Sequence, residues 1–108
     1  MTLPELTPET RAAALKKAAQ LRQERAAVKA RLKNSTGSRA DEIRRLLTEV
    51  ESSEAVARLK VSAMLESLPG IGKVKAAQIM EEIGISPSRK MRGLGRHQAQ
   101  KLIEHFEG

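Results

Sequence analysis

Cysteine, tryptophan and tyrosine are absent from the 108-residue sequence, and Phe106 is its single phenylalanine. The absence of cysteine excludes disulfide bonds and thiolate metal sites, and it is typical of proteins in a reducing compartment. Proteins that bind single-stranded nucleic acids on a sheet or barrel stack bases on exposed aromatic rings. A chain with one aromatic ring has no platform of that kind.

Long apolar runs are also absent. No run of about 18 apolar residues occurs and no apolar stretch lies near Met1, so we expect neither a membrane span nor a signal peptide. We therefore expect a soluble, cytoplasmic protein. His97 and His105 lie eight positions apart, and no pair of carboxylates is distinguished by its setting. We accordingly expect no metal, no cofactor and no catalytic site, and hence not an enzyme.

Basic residues dominate the charge of the chain. The formal net charge is +7 and the isoelectric point is near 10.3, which favours a polyanionic partner. Residues 1–38 and residues 69–108 are both net positive, whereas residues 39–68 are nearly neutral. Together with the missing aromatic platform, this charge favours duplex DNA held through its phosphates over single-stranded RNA.

The pattern of apolar residues predicts an all-α fold with a single modest domain. We expect a poorly ordered arm at residues 1–6, a long basic helix at 7–33, a linker at 34–38 and a compact helical bundle at 39–108. Thr7 and Pro8 are a typical helix start, and Ser38 is suited to cap the next helix. The bundle is expected to contain a C-terminal module at about residues 62–106.

The first helix carries many more basic than acidic residues on its polar faces. An ordinary solvated face is one explanation, and a coiled coil is another, although Arg25 interrupts the apolar seam. The charge excess favours a secondary DNA surface with contacts to phosphates. Its candidate residues are Lys16, Lys17, Arg22, Arg25 and Lys29.

Further helices follow the linker. Ser53 predicts another helix start, and Ser62 marks a break in the middle segment. Met64 and Met91 are expected in the core. Gly84 is placed to end a helix in the left-handed conformation, and the residues after it, 86–87, predict a short helical turn.

Residues 68–75, which read LPGIGKVK, must end one helix and start another within four positions. Gly70 and Gly72 permit a tight turn and a close approach to the main chain. The amides of Ile71, Gly72, Lys73 and Val74 are then expected to be free at a helix N-terminus, with Lys75 nearby, which predicts a phosphate site. The alternative is a turn between two helices whose glycines serve geometry alone.

A second glycine-rich helix start follows in residues 89–96, where four basic residues and no acidic residue occur. Two such starts lying close together can hold phosphates along a duplex while arginines reach a groove. The candidate residues of this second start are Arg89, Lys90, Arg92, Gly93, Gly95 and Arg96.

Residues 68–76 (LPGIGKVKA), Ile85 and residues 92–95 (RGLG) resemble the helix-two-turns-helix module of the actinobacterial integration host factors. That module also occurs in bacterial ribosomal protein S13 and in the Fpg/Nei DNA glycosylases. Residues 6–8, 11–15, 30–33 and 59–62 extend the resemblance to the host factors over nearly the whole chain, whereas residues 34–40 and 49–54 match least.

The resemblance implies a nucleoid-associated protein that binds and bends duplex DNA with little sequence preference, organises the chromosome, assists phage integrases and influences transcription. It implies a phosphate clamp at residues 70–73 and groove or backbone contacts from Arg89, Lys90 and Arg92. The family more often has arginine where Lys90 stands, and lysine lacks arginine's planar fork. We expect a monomer in solution.

Three other functions are open to this sequence. An RNA-binding or ribosomal role shares the module and the charge, although S13 proteins usually end in a long basic tail and this sequence ends at Glu107 and Gly108. A glycosylase would need a nucleophile and a second domain to hold a flipped base, which we do not find. A structural adaptor that dimerises through the first helix would bind no DNA.

Overall fold

A computed structural model describes residues 7–107, so the predicted arm at 1–6 lies outside the described residues. The helices are α1 (Pro8–Lys33), α2 (Arg39–Glu49), α3 (Glu54–Ala57), α4 (Val61–Ser67), α5 (Lys73–Ile83) and α6 (Arg96–Glu107), with a 3₁₀ helix at Met91–Gly93. Within this part of the chain the only β pairing is one antiparallel bridge between Lys60 and Lys90. The predicted all-α class is confirmed. No helix of residues 7–107 is long and apolar enough to cross a membrane.

Local side-chain chemistry sets several helix ends. The hydroxyl groups of Thr7, Ser38 and Ser53 each accept a hydrogen bond from the amide three positions later, and so cap α1, α2 and α3. Gly84 ends α5 with φ +86°, a left-handed conformation that favours glycine. These four boundaries lie where the sequence predicts them.

Helix α1 has 26 residues and is therefore about 39 Å long. Its C-terminal end is anchored, because Leu32 is fully buried and the Arg31 guanidinium donates two hydrogen bonds, of 3.2 and 3.1 Å, to the Glu49 carboxylate of α2. Toward its N-terminus, α1 packs against α3 and α4. Residues 7–17 are all exposed, so the first turns of α1 extend beyond the packed body.

The core lies where α2, α4, α5 and α6 meet. Ile43, Met64, Leu65 and Leu102 are fully buried there, and α2 packs along α6 while α4 packs along α5. Met91 of the 3₁₀ helix is 2% exposed and joins the same cluster. The expectation that Met64 and Met91 are core residues is confirmed.

Two predicted features differ from the structure, one in position and one in length. The break expected at Ser62 occurs at residues 58–60, and α4 starts at Val61. The helical turn expected at residues 86–87 is a single hydrogen-bonded turn, and the 3₁₀ helix follows at Met91–Gly93. Both shifts have one cause. The Val61 amide donates to the Arg89 carbonyl (2.9 Å) and the Met91 amide donates to the Leu59 carbonyl (2.8 Å), so the two segments are extended where they pair.

Gln98 joins the start of α6 to the end of α5. Its side-chain nitrogen donates to the Gly84 carbonyl (2.9 Å), and its side-chain oxygen accepts from the Gly95 amide (3.1 Å). One side chain therefore satisfies a carbonyl at one helix end and an amide at the next helix start, and it holds the two helices of the module together.

We expect Gln98→Ala to lower the free energy of unfolding by about 1 to 2 kcal/mol, because two hydrogen bonds are lost. Gln100→Ala is the matched control, since Gln100 lies on the same helix and bonds only the exposed Glu104 (3.1 Å). Its effect should stay within about 0.5 kcal/mol. Urea titrations of both variants give the comparison, and equal effects would contradict the bridging role.

Candidate nucleic-acid interface

The first corner, residues 68–75, joins α4 to α5. Gly70 has φ +80°, and the Ile71 amide donates to the Leu68 carbonyl (3.1 Å), which closes a tight turn. The expectation that the Ile71 amide is free is therefore wrong, because the turn that positions α5 uses it.

The next amides are open. Among residues 7–107, no group accepts a hydrogen bond from the amides of Gly72, Lys73 and Val74, and no side chain caps α5. A Cβ built on Gly72 would meet nothing within 4 Å, so the space above this turn is empty of protein. The positive end of α5 and the exposed Lys73 and Lys75 beside it make this turn suited to an anion such as phosphate.

Arg39 also lies at the first corner, which the sequence did not indicate. Its guanidinium donates to the Pro69 carbonyl and would lie 2.8 Å from a Cβ built on Gly70. This arginine is 31 positions before Gly70 in the chain, and it reaches the corner because α2 starts beside it. A third cation thus lies at the first corner, and no local motif signals it.

At the second corner, residues 89–96, the protein's own groups accept the amides of residues 93–95, whereas no group among residues 7–107 accepts the amides of Arg96 and His97 at the start of α6. The Gly93 amide donates to the Lys90 carbonyl (2.9 Å), the Leu94 amide to the Met91 carbonyl (3.2 Å), and the Gly95 amide to Gln98. The two corners therefore share a glycine pattern without sharing free glycine amides.

The basic residues of the second corner differ in their surroundings. Arg89 is half-buried and donates to the Gly93 carbonyl (2.9 Å), so it braces the corner from inside. Lys90, Arg92 and Arg96 are exposed, and no carboxylate among residues 7–107 lies within ion-pair distance of them. These three side chains remain available to a ligand.

The structure separates the five predicted DNA-contacting residues of α1 into two groups that face different directions. Arg22, Arg25 and Lys29 line a groove of about 670 Å³ between α1 and residues 55–63. Lys17 instead forms an ion pair with Glu54 of α3 (3.7 Å), and Lys16 lies about 120° around the helix from Arg22. Three of the five candidates thus share one groove, and the other two face elsewhere.

Comparison with known proteins gives a consistent family. Residues 32–106 match the model of the S13-like H2TH domain family. The chain is similar to the integration host factor of Streptomyces coelicolor, with 53% identity over 98% of this chain and 95% of the relative. It is also similar to the integration host factors of Mycolicibacterium smegmatis (49% identity, 99% and 98% covered) and Mycobacterium tuberculosis (49%, 98% and 97%).

A solved structure resembles the chain as well. It is described as the structure of sIHF bound to an 8bp palindromic DNA. The TM-score is 0.76 at 48% identity, and the match covers 84% of this chain and 98% of that chain. The resemblance that the sequence motifs indicate is therefore confirmed at the level of family and fold.

The position of Arg39 can be tested with a double-mutant cycle. Gly70→Ala and Gly84→Ala should each cost about 1 to 2 kcal/mol of unfolding free energy from the left-handed backbone. Gly70→Ala should cost at most about 1 kcal/mol more than Gly84→Ala, because the exposed Arg39 guanidinium can move away from the new Cβ but then loses its hydrogen bond to the Pro69 carbonyl. In an Arg39→Ala background the cost of Gly70→Ala should fall to that of Gly84→Ala. An unchanged cost in thermal unfolding would contradict the close approach.

Proposed function

The chain belongs to the integration host factor family of actinobacteria, and from this membership we propose that it is a DNA-binding architectural protein and not an enzyme. It binds double-stranded DNA through backbone phosphates and the minor groove with little sequence preference. The observation that carries the proposal is the first corner, where free amides, an empty approach over Gly72 and exposed lysines coincide. The DNA-bound structure of a relative supports the same partner.

The proposed mode of binding follows from what the corners present. Main-chain amides and lysines recognise phosphates, which carry no base identity, so sequence preference is low. The exposed Arg92 and Lys90 are placed to reach a groove or a neighbouring phosphate. Neutralisation of about five phosphates gives a slope of log affinity against log salt near −4 to −5.

DNA bending is part of the proposal. Cations that neutralise phosphates on one side of a duplex, together with contacts from α1, favour a curved path. A smooth bend of 20 to 30 base pairs costs of order 1 to 6 kcal/mol, which extra contacts must offset. We further propose that the protein acts as a monomer on the nucleoid in the cytoplasm, organises the chromosome, supports site-specific recombination with phage integrases and influences transcription.

An S13-like RNA-binding function is the second candidate, because the matching family model is S13-like. The missing aromatic platform and the sequence identity to integration host factors favour DNA. Competition of a structured RNA against duplex DNA at equal nucleotide concentration separates the two functions. Stronger displacement by RNA would favour the second candidate.

Gly72→Asp should change stability and binding in opposite directions. An aspartate there caps α5 and interacts with its positive end, which should raise the unfolding free energy by about 0.5 to 1 kcal/mol. The same carboxylate accepts hydrogen bonds from the open amides and repels phosphate. Affinity for duplex DNA should therefore fall at least tenfold, which corresponds to about 1.4 kcal/mol.

Thr7→Asp is the charge-matched control for Gly72→Asp, because it places the same carboxylate at the cap of α1, away from both corners. It should leave DNA affinity nearly unchanged. Thermal unfolding and fluorescence anisotropy with labelled DNA measure both quantities. Undiminished binding by Gly72→Asp would refute the phosphate clamp.

Arg89→Ala combined with Arg92→Ala should lower DNA affinity at least tenfold while the helical circular dichroism persists. The single variants should differ. Arg92→Ala should flatten the salt slope by about one without loss of stability, since its side chain is free. Arg89→Ala should lower the melting temperature, because its bond to the Gly93 carbonyl is lost.

Lys101→Ala removes an exposed charge elsewhere and serves as the control in mobility-shift titrations. Unchanged binding by the double variant would discard the assignment of Arg89 and Arg92 to the DNA-binding surface.

A further inference from the structure

Lys60 and Lys90 lie directly opposite each other in the antiparallel bridge. The flanking bonds, Val61 to Arg89 and Met91 to Leu59, make this a pair without hydrogen bonds of its own. In such pairs the Cα atoms are about 4.5 Å apart and the side chains project together from one face. The fold therefore places two lysine side chains at adjacent positions on one face.

This arrangement is unfavourable for the protein alone. Like charges directly opposite in a β pair are destabilising. Both side chains are exposed, and among residues 7–107 no carboxylate lies within 4.0 Å of either ammonium group. An anion between the two lysines would remove the repulsion.

The same two lysines belong to the groove beside α1. Its charged lining consists of six cations without any acidic residue: Arg22, Arg25, Lys29, Arg58, Lys60 and Lys90. Glu54, the neighbouring acid, is already paired with Lys17 (3.7 Å) and Arg58 (2.9 Å). The pair with Glu54 offsets the charge of Arg58, and among residues 7–107 the other five cations of the groove have no ion-pair partner.

The uncharged lining indicates which part of a nucleic acid fits. Ala26, Ala55, Leu59 and Ala63 are among its apolar residues, and no aromatic ring lines it. Bases that enter a protein groove are usually held by stacking on aromatic side chains. This groove has no aromatic side chain on which a base could stack, so it is suited to a sugar-phosphate backbone.

We infer that this groove is a second track that binds the phosphodiester backbone, with one phosphate held between Lys60 and Lys90. The groove binds the same duplex as the second corner. Lys90 links the two, because it also lines a smaller pocket of about 320 Å³ with Arg89, Arg92 and Gly93. A backbone lying on Arg92 thus continues past Lys90 into the groove. The inference rests on the proposed DNA binding and adds Lys60 to the contact surface.

Lys60→Gln tests the inference against Lys101→Gln, an equal charge change on an exposed face of α6. With a duplex of about 24 base pairs, Lys60→Gln should reduce the magnitude of the salt slope by about 0.9, so that the affinity lost between about 50 and 200 mM salt shrinks about threefold. Lys101→Gln should leave the slope unchanged. Without DNA, Lys60→Gln should melt at the same or a higher temperature than the wild type, because a repulsion is removed.

Arg25→Gln added to Lys60→Gln gives a second measure. Because Arg25 lines the same track, the double variant should lower the slope by about 1.8 in total. Analytical ultracentrifugation at saturation should find one duplex per protein for the wild type.

Each other outcome overturns the inference. An unchanged slope for both variants means that the groove does not hold phosphate, and a lower melting temperature with weaker binding means that Lys60 acts on the fold. Two duplexes per protein mean that the groove takes a separate molecule. Wild-type protein that binds no duplex at all would instead refute the proposed function, so the two failures are distinguishable.

Discussion

Two backbone hydrogen bonds between residues 59–61 and residues 89–91 determine how the basic surfaces are arranged. They end α3, delay the start of α4 to Val61 and keep the second turn of the module extended until the 3₁₀ helix begins. Met91 enters the core directly beside this pairing, so apolar burial and the backbone bonds stabilise the same geometry. Cations from the middle of the chain and from its C-terminal part consequently lie on one face.

The two glycine corners show how similar sequences can serve different ends. At the first corner the turn uses the Ile71 amide and leaves the following amides open, while at the second corner Gln98 and nearby carbonyls accept the glycine amides. Among residues 7–107, both helix starts leave amides without an acceptor, at residues 72–74 and 96–97, but only the first corner leaves its glycine amide open. For the proposed DNA binding, main-chain amides are available at the starts of both α5 and α6, and the second corner adds the long side chains of Lys90, Arg92 and Arg96.

The parts of this architecture that depend on local chemistry were predictable from the sequence. Hydroxyl caps, a left-handed glycine and apolar periodicity act within a few residues. The helix starts at Thr7, Ser38 and Ser53 and the helix end at Gly84 can therefore be predicted from neighbouring residues in the sequence. The sequence predicts the 58–60 break a few residues too late, because the segment that causes the break lies about 30 positions away.

The distant contacts of the candidate site were not predictable for the same reason. The approach of Arg39 to Gly70 joins residues 31 positions apart. A segment-wise charge count also hid Lys60, because residues 39–68 are nearly neutral as a whole while Lys60 lies in space beside basic residues of α1 and Lys90. Only tertiary packing separates the charges of residues 39–68 into a basic groove and ion-paired surfaces.

The long first helix has a thermodynamic consequence. Many basic segments that meet polyanions are unstructured until they bind, and their ordering then opposes association. Here Arg22, Arg25 and Lys29 are already held on a helix whose far end is fixed by Leu32 and the Arg31 ion pair with Glu49. Their encounter with a ligand is a docking of preformed surfaces. It therefore lacks the large negative heat-capacity change that accompanies coupled folding.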